Sequence, residues 1–408
     1  MADADGAIAD LERRLVRYPA ERYPVQHATA QFHLGVALTN EGRLGQAEAA
    51  LTSALRGFEP EALWVERAKV RNALGAMLRL SGRVDEAAAA FEAAAESFEA
   101  AGLTADQGAA RFNLGLVRRE LGDSPAADQA FERACKLLES VRLGAQAGAA
   151  VRELGTTRFL AGDIERAVDP LERGVWLADQ ARDEAGRGGA ANILGLVHLT
   201  AERPQQAIEA FRTALTAYPR SIRPESYALV KGNLALALEQ VEDVPRARLA
   251  SRQALSIAVA AEPVRAQAAA LLERLGDEPG DVLQVLDVEP PERWPATMRE
   301  ELARWVDVDP RERRTEAEAW IEGQLARDAG ADLAEAWIDA LLELPPQHLV
   351  GLVTSLLEAL GDRNDEERAQ VRSEFSRAMA RLHVPQLMRL TEIFSGIAQE
   401  LGQEEGWT

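Results

Sequence analysis

The sequence predicts an all-α protein: a solenoid of helix–turn–helix repeats followed by a C-terminal all-helical domain. Three observations carry this. Small and apolar residues recur every forty positions through the first two thirds of the chain. Within each forty-residue unit they fall at the i, i+3, i+4, i+7 spacing of amphipathic helices. Beyond about residue 280 that register disappears, while helical patterning continues.

The segments FHLGVAL, NALGAML, FNLGLVR, RELGTTR, NILGLVH and GNLALAL place Leu34, Leu74, Leu114, Leu154, Leu194 and Leu234 at equal intervals. A glycine follows each one from Gly35 to Gly195, with Ala235 in the sixth. Twelve residues on comes a column of alanines, from Ala47 to Ala247. Four further sit Leu51, Phe91, Phe131, Leu171 and Phe211, with Ser251 breaking the series. Another three bring Ala54, Ala94, Ala134, Gly174, Ala214 and Ala254. Columns held in register over six units define a repeat protein.

The columns also describe each unit. A Leu-Gly pair inside a helical pattern makes a notch where a neighbouring helix approaches closely. Glycine there costs about 1 kcal/mol against alanine, so its recurrence implies that close packing offsets the loss. Gly42, Gly82, Gly122 and Gly162 suit the left-handed residue that ends a helix. Pro125 and Pro245 then sit where a first helical turn tolerates a missing N–H. The stripe resumes at Ala87, Phe91, Ala94 and Ala95. Each unit is therefore a helix A, a tight turn and a helix B.

With these columns the chain resembles the tetratricopeptide repeat (TPR) family, whose Leu-Gly in helix A, glycine at the turn and Ala…Phe…Ala along helix B appear here at the family's own internal spacings. Repeat 5 also ends Ala214-Leu215-Thr216-Ala217-Tyr218-Pro219, with proline in the family's closing position. The departure is the period, forty residues in place of about thirty-four. The six extra residues fall after helix B, as longer helices or connectors. The resemblance implies a right-handed superhelix whose concave surface is lined by helix A and binds peptides.

Both edges of the array are legible. Subtracting forty from the helix-B columns gives Ala7, Leu11 and Leu15, then Pro19, so residues 1–27 read as an orphan helix B capping six repeats over 28–267. Residues 268–280, with Gly276, read as a degenerate repeat or capping helix, which a solenoid needs to seal its apolar end. Residues 281–408 form the C-terminal domain. Stripes such as Met298-Leu302-Trp305, Ala317-Trp320-Ile321 and Leu349-Leu352-Leu356 predict about six helices there, broken at Pro310, Pro345-Pro346 and Pro385.

Charge divides at the same place. The 408 residues carry a net charge of −20, and residues 281–408, with 27 acids and 13 bases, hold −14 of it. Such acidity disfavours nucleic acid and anionic membrane as partners. Only Lys69, Lys136 and Lys231 are lysines, as in a protein from a GC-rich bacterial genome. Cys135, the one cysteine, excludes an internal disulfide and any multi-cysteine metal site. It occupies a helix-B core column, which predicts a buried structural thiol. His27, His33, His198, His348 and His383 lack metal-ligand spacing. There is no phosphate loop and no nucleophile elbow. The N-terminus lacks a signal peptide, and no segment reaches the roughly 18 apolar residues of a membrane span. The expectation is a cytoplasmic, non-catalytic protein without cofactor or metal.

Carried over by register, the family's ligand-contacting helix-A positions hold Lys69, Asn72 and Arg79 in repeat 2, Arg119 in repeat 3, Arg152 in repeat 4 and Asn192 in repeat 5. Amides can bond a peptide backbone and arginine can hold carboxylates, a local reversal of sign in an acidic chain. The alternative is that these arginines pair with acids on adjacent helices. The column two after the Leu reads Val36, Ala76, Leu116, Thr156, Leu196 and Leu236; the asparagine of the chaperone-tail clamp is missing. Five of seven tryptophans lie beyond residue 281. Most sit on core stripes, and Trp407 is the one best placed for exposure as a second interface. The function expected is a protein–protein interaction scaffold or adaptor binding a partner peptide or helix. The alternatives are a ligand- or peptide-responsive bacterial regulator and a dedicated assembly factor or chaperone for a neighbouring enzyme. Homo-oligomerisation is compatible with each.

Overall fold

The computed structural model describes residues 2–58, 63–403 and 407, and its regular elements are all helices. The chain divides into two compact units, Met1–Glu202 and Arg203–Thr408. The compositional change at residue 280 lies inside the second.

In the first unit, the A helices are α2 (Pro24–Asn40), α4 (Trp64–Leu80), α6 (Thr104–Glu120), α8 (Gly144–Leu160) and α10 (Glu184–Thr200). The B helices are α3 (Leu44–Gly57), α5 (Val84–Ala100), α7 (Ser124–Ser140) and α9 (Ile164–Gln180). Helix α1 (Ala2–Arg17) precedes them and packs on α2. Its buried anchor is Ile8; Ala7, the residue expected from the register, is exposed, because Ile8 with Leu11 and Leu15 makes the stripe that reaches the core.

The forty-residue period has a simple origin. Helices α4 to α10 are each 17 residues long and separated by residues 81–83, 101–103, 121–123, 141–143, 161–163 and 181–183. The turns within and between repeats share one geometry. After α4, Gly82 adopts φ +74°, its N–H donates to the Arg79 carbonyl (3.0 Å), and the Arg83 N–H donates to Leu78 (2.9 Å). This pair of bonds closes the helix end as a Schellman motif. Between repeats, Arg142 takes φ +61° and the same two bonds run to Glu139 and Leu138. The extra residues therefore extend the helices and add a second copy of the turn.

The Leu-Gly notch is filled by the helix-B column opposite. A β-carbon on Gly35 or Gly155 would lie 2.5 Å from Leu51 or Leu171, and on Gly75 or Gly115 it would lie 2.9 or 2.7 Å from the Phe91 or Phe131 ring. Where the notch residue becomes Ala235, the opposing column holds Ser251, both buried. The small residue gains a methyl and its partner loses a large side chain.

The second unit contains α11 (Pro204–Ala217), α12 (Pro224–Gln240), α13 (Val244–Leu255) and α14 (Glu262–Leu275), which ends at Gly276 with φ +83°. The short α15 (Asp281–Val288) and a turn of 3-10 helix follow, then α16 (Trp294–Asp307), α17 (Pro310–Leu325), α18 (Gly330–Leu342), α19 (Pro346–Gly361), α20 (Asp365–Met379) and α21 (Val384–Glu400). The expected prolines open α17, α19 and α21. Asn364 caps α20 in a capping box with Glu367, so the acidic run there is a helix start. One core joins α15 to α21, with Trp305, Trp320 and Trp337 wholly buried.

Charge is also buried in this unit. Arg304 is 0% exposed and contacts Glu301 and Glu316 at 2.6 Å and Glu312 at 3.0 Å, while Trp305 donates its indole N–H to Glu301 (2.9 Å). On α13, Arg248 and Arg252 hold Asp281 at 2.7 and 3.0 Å. Burial pushes the Asp281 carboxyl up to about 6 against the pull of both guanidiniums. These ion pairs bind the last repeat helices to the region beyond residue 280.

Three stability outcomes follow from this packing. Gly115→Ala gains helix propensity of about 1 kcal/mol but overpacks the Phe131 ring at 1–3 kcal/mol. The expected net is a loss of about 1 kcal/mol in urea unfolding followed by circular dichroism, and a gain would show that the ring yields freely. Arg142→Gly relieves a left-handed residue and raises stability by about 0.5–1 kcal/mol in the same assay. Arg304→Ala strands Glu301 and Glu316 in the core and costs about 3–5 kcal/mol, read by the fluorescence of the buried tryptophans.

Candidate functional site

In the first unit, successive A helices pack directly on one another: α2 on α4, α4 on α6, α6 on α8 and α8 on α10. Their common face shows a regular pattern of accessibility. Phe32 and Val36, Asn72 and Ala76, Phe112 and Leu116, Arg152 and Thr156, and Asn192 and Leu196 are all half-buried. Each pair is four residues apart, one helical turn, so the two columns form a continuous floor that solvent reaches but does not cover. Its chemistry alternates, apolar in repeats 1 and 3 and polar or mixed in repeats 2, 4 and 5.

The residues expected to line this face are placed as follows. Lys69 is exposed near the start of α4, and Asn72 lies one turn on in the floor. The Asn72 side-chain oxygen is buried without a hydrogen-bond partner among the described residues. Arg79, at the end of α4, pairs with Glu120 at the end of α6 at 2.5 Å. Arg119 reaches Glu153 on α8 at 2.8 Å, and Arg152 contacts the other oxygen of Glu153 at 3.1 Å. Asn192 continues the floor on α10. The three arginines thus meet acids, two of them across the gap to the next A helix. The face is a ladder of alternating charge, where the sequence suggested a basic strip. Glu120 and Glu153 are the residues that sequence reasoning passed over. Their signal lay in the register, in acids at neighbouring columns one repeat on.

A second brace lies across repeats 3 and 4. Arg158 on α8 contacts Asp128 at 2.8 Å and Glu132 at 2.9 Å on α7, and donates to the Arg166 carbonyl on α9 (3.2 Å). That carbonyl would otherwise accept the N–H of residue 170, which is Pro170 inside α9 and has none to give. Arg158 replaces the missing helix bond while joining three helices. In α7, Cys135 is buried, and burial pushes its thiol up to about 11, the state of a packing residue.

Trp407 corrects the expectation of an exposed aromatic. It is 1% exposed, against Phe394 at 4.9 Å and edge-on to Phe375 at 6.3 Å between ring centroids. The Trp407 ring packs onto the α20–α21 core, a contact that the sequence pattern around it does not reveal. The tryptophans that are exposed belong to the repeats: Trp64, and Trp176 at 59%.

No described helix is long and apolar enough to cross a membrane. No curated protein matches the chain by sequence. Among solved structures it is similar to BtubC (BKLC) from P. vanneervenii, with 20% identity, a TM-score of 0.47 and coverage of 52% of this chain and 90% of that one. It is also similar to the C-terminal part of a TPR repeat-containing protein from Cytophaga hutchinsonii, with 12% identity, a TM-score of 0.46 and coverage of 65% and 98%. The apo form of RapI matches with 15% identity, a TM-score of 0.42 and coverage of 60% and 84%. The tetratricopeptide repeat family model matches residues 66–140, the span of α4 to α7. Residues 66–140, repeats 2 and 3, are thus tetratricopeptide repeats, and the same helix lengths and turns recur around them.

Proposed function

We propose that this protein is a non-catalytic scaffold or adaptor of the cytoplasm that holds a peptide or helix of a partner protein across the common face of α4, α6, α8 and α10. The observation that carries the reading is the half-buried floor repeated in register, with an unsatisfied acceptor, Asn72 Oδ1, set into it. Buried acceptors are ordinarily bonded, and the N–H of an extended peptide supplies the missing donor. Arg79, Arg119 and Arg152, already paired with acids, orient a ligand by matching its charges and add less affinity than unpaired cations would. The apolar floor of Phe112 and Leu116 accepts a hydrophobic side chain between the polar rungs. The acidic C-terminal helices supply a second surface in this reading. An assembly factor or peptide-responsive regulator would use the same face for its ligand.

The test is selection of peptides from a displayed library on the full-length chain, followed by affinity measurement on variants. Asn72→Leu removes the acceptor without breaking a bond, and Arg119→Glu with Arg152→Glu reverses two rungs. Each is expected to weaken the selected peptides by about tenfold or more, near 1.4 kcal/mol, with unchanged circular dichroism. Affinities that stay level in both variants would remove this face from the function.

A further inference from the structure

A second candidate site lies wholly in the second unit, on residues that the groove reading does not use. A cavity of about 770 Å³ opens among α11, α12, α16 and the residues after α13 and α18. Its volume is in the range of small-molecule sites, about 300–1,000 Å³. Part of its wall is apolar, formed by Leu215, Ile257, Val306 and Leu344. The rest of the lining is charged, with Arg220, Arg299 and His348 set among Glu300, Asp307 and Glu343, and it includes Tyr227.

Tyr227 is buried, with Arg220 over its ring at 5.6 Å and Lys231 at 5.4 Å from the ring centre. Each cation is held by an acid of α16: Arg220 to Asp307 at 2.5 Å and Lys231 to Glu300 at 2.6 Å. Lys231 is one of only three lysines and keeps a side chain 6% exposed. Burial disfavours its charge, but Glu300 and Tyr227 outweigh that and raise its pKa. Burial also raises the Tyr227 hydroxyl above its ordinary value, so it stays protonated and able to donate.

Two polar atoms in this assembly are left over. The Tyr227 hydroxyl and Arg220 Nη1 are buried without a hydrogen-bond partner among the described residues. The other terminal nitrogen of Arg220 is engaged, donating to Asp307 and to Ser256 Oγ (2.9 Å). Its placement is therefore set by bonds that leave Nη1 vacant. Leaving buried donors unmet is costly, and both belong to residues that line the same cavity.

We propose that this cavity is a binding site for a small organic carboxylate with an apolar body. One carboxylate oxygen accepts from Arg220 Nη1 and the other from the Tyr227 hydroxyl, while the apolar portion lies along Leu215, Ile257, Val306 and Leu344. A guanidinium donor makes the bond charge-assisted, which favours a carboxylate over a neutral carbonyl. Water alone would fill the apolar part poorly, since that wall offers it no partners.

The experiment is titration calorimetry of the full-length chain with 4-phenylbutyrate and octanoate, each alongside its amide. The carboxylates are expected to bind at micromolar to millimolar concentration and the amides at least tenfold more weakly. Tyr227→Phe removes the hydroxyl while leaving the Arg220–Asp307 and Lys231–Glu300 ion pairs in place, and carboxylate affinity is expected to fall about tenfold. Arg220→Met abolishes binding. Carboxylates that fail to bind at millimolar concentration, amides that bind equally well, or a Tyr227→Phe variant with undiminished affinity would each overturn the assignment. Because Tyr227→Phe leaves both ion pairs with α16 in place, its outcome stands even where Arg220→Met disturbs the Asp307 contact.

Discussion

The repeats depend on a contact between a glycine and a large side chain. Gly35, Gly75, Gly115 and Gly155 let helix B lay a Leu or Phe directly on the backbone of helix A, closer than any residue with a β-carbon permits. Interior packing tolerates neither a void nor an overlap at this density. The notch and its partner therefore change together, as they do at Ala235 and Ser251. Helix separation, and with it the angle at which one repeat meets the next, follows from this single steric condition.

The turns supply the other half of the periodicity. A Schellman closure after a 17-residue helix occurs both within repeats, at Gly82, Gly122 and Gly162, and between them, at Gly102, Arg142 and Arg182. One local geometry used twice makes the repeat forty residues long. It also returns every A helix to the same rotational setting, and for this reason residues forty apart share a face. A half-buried face can then be continuous although its members are scattered over 160 residues of chain, from Phe32 to Asn192.

Electrostatics separates the two units in kind. In the repeats, half-buried arginines meet acids of the next A helix, in contacts whose energy is modest and screened. In the second unit, Arg304, Arg248 and Arg252 meet acids in the interior, where loss of one partner is expensive because the other charge remains without water. The net charge of −20 is accordingly a poor guide to either surface. Many of the arginines are consumed by internal pairs.

By themselves the residues determined the helical class, the Leu-Gly notch, the glycine turns and the proline starts of α17, α19 and α21. These are local properties: each depends on backbone preference or on spacing along one helix, and the repeat multiplies the signal. The inert environment of Cys135 was legible for the same reason, since its column is apolar in the other repeats. Tertiary structure decided between a basic strip and paired arginines at Arg79, Arg119 and Arg152, and it alone decided that Trp407 turns inward onto Phe375 and Phe394 and that Arg220 and Tyr227 line one cavity. The contacts of Arg119 with Glu153 and of Arg220 with Asp307 join residues 34 and 87 positions apart. No periodicity encodes the meeting of a repeat residue with a helix outside the repeat, because only the packed chain brings those helices together.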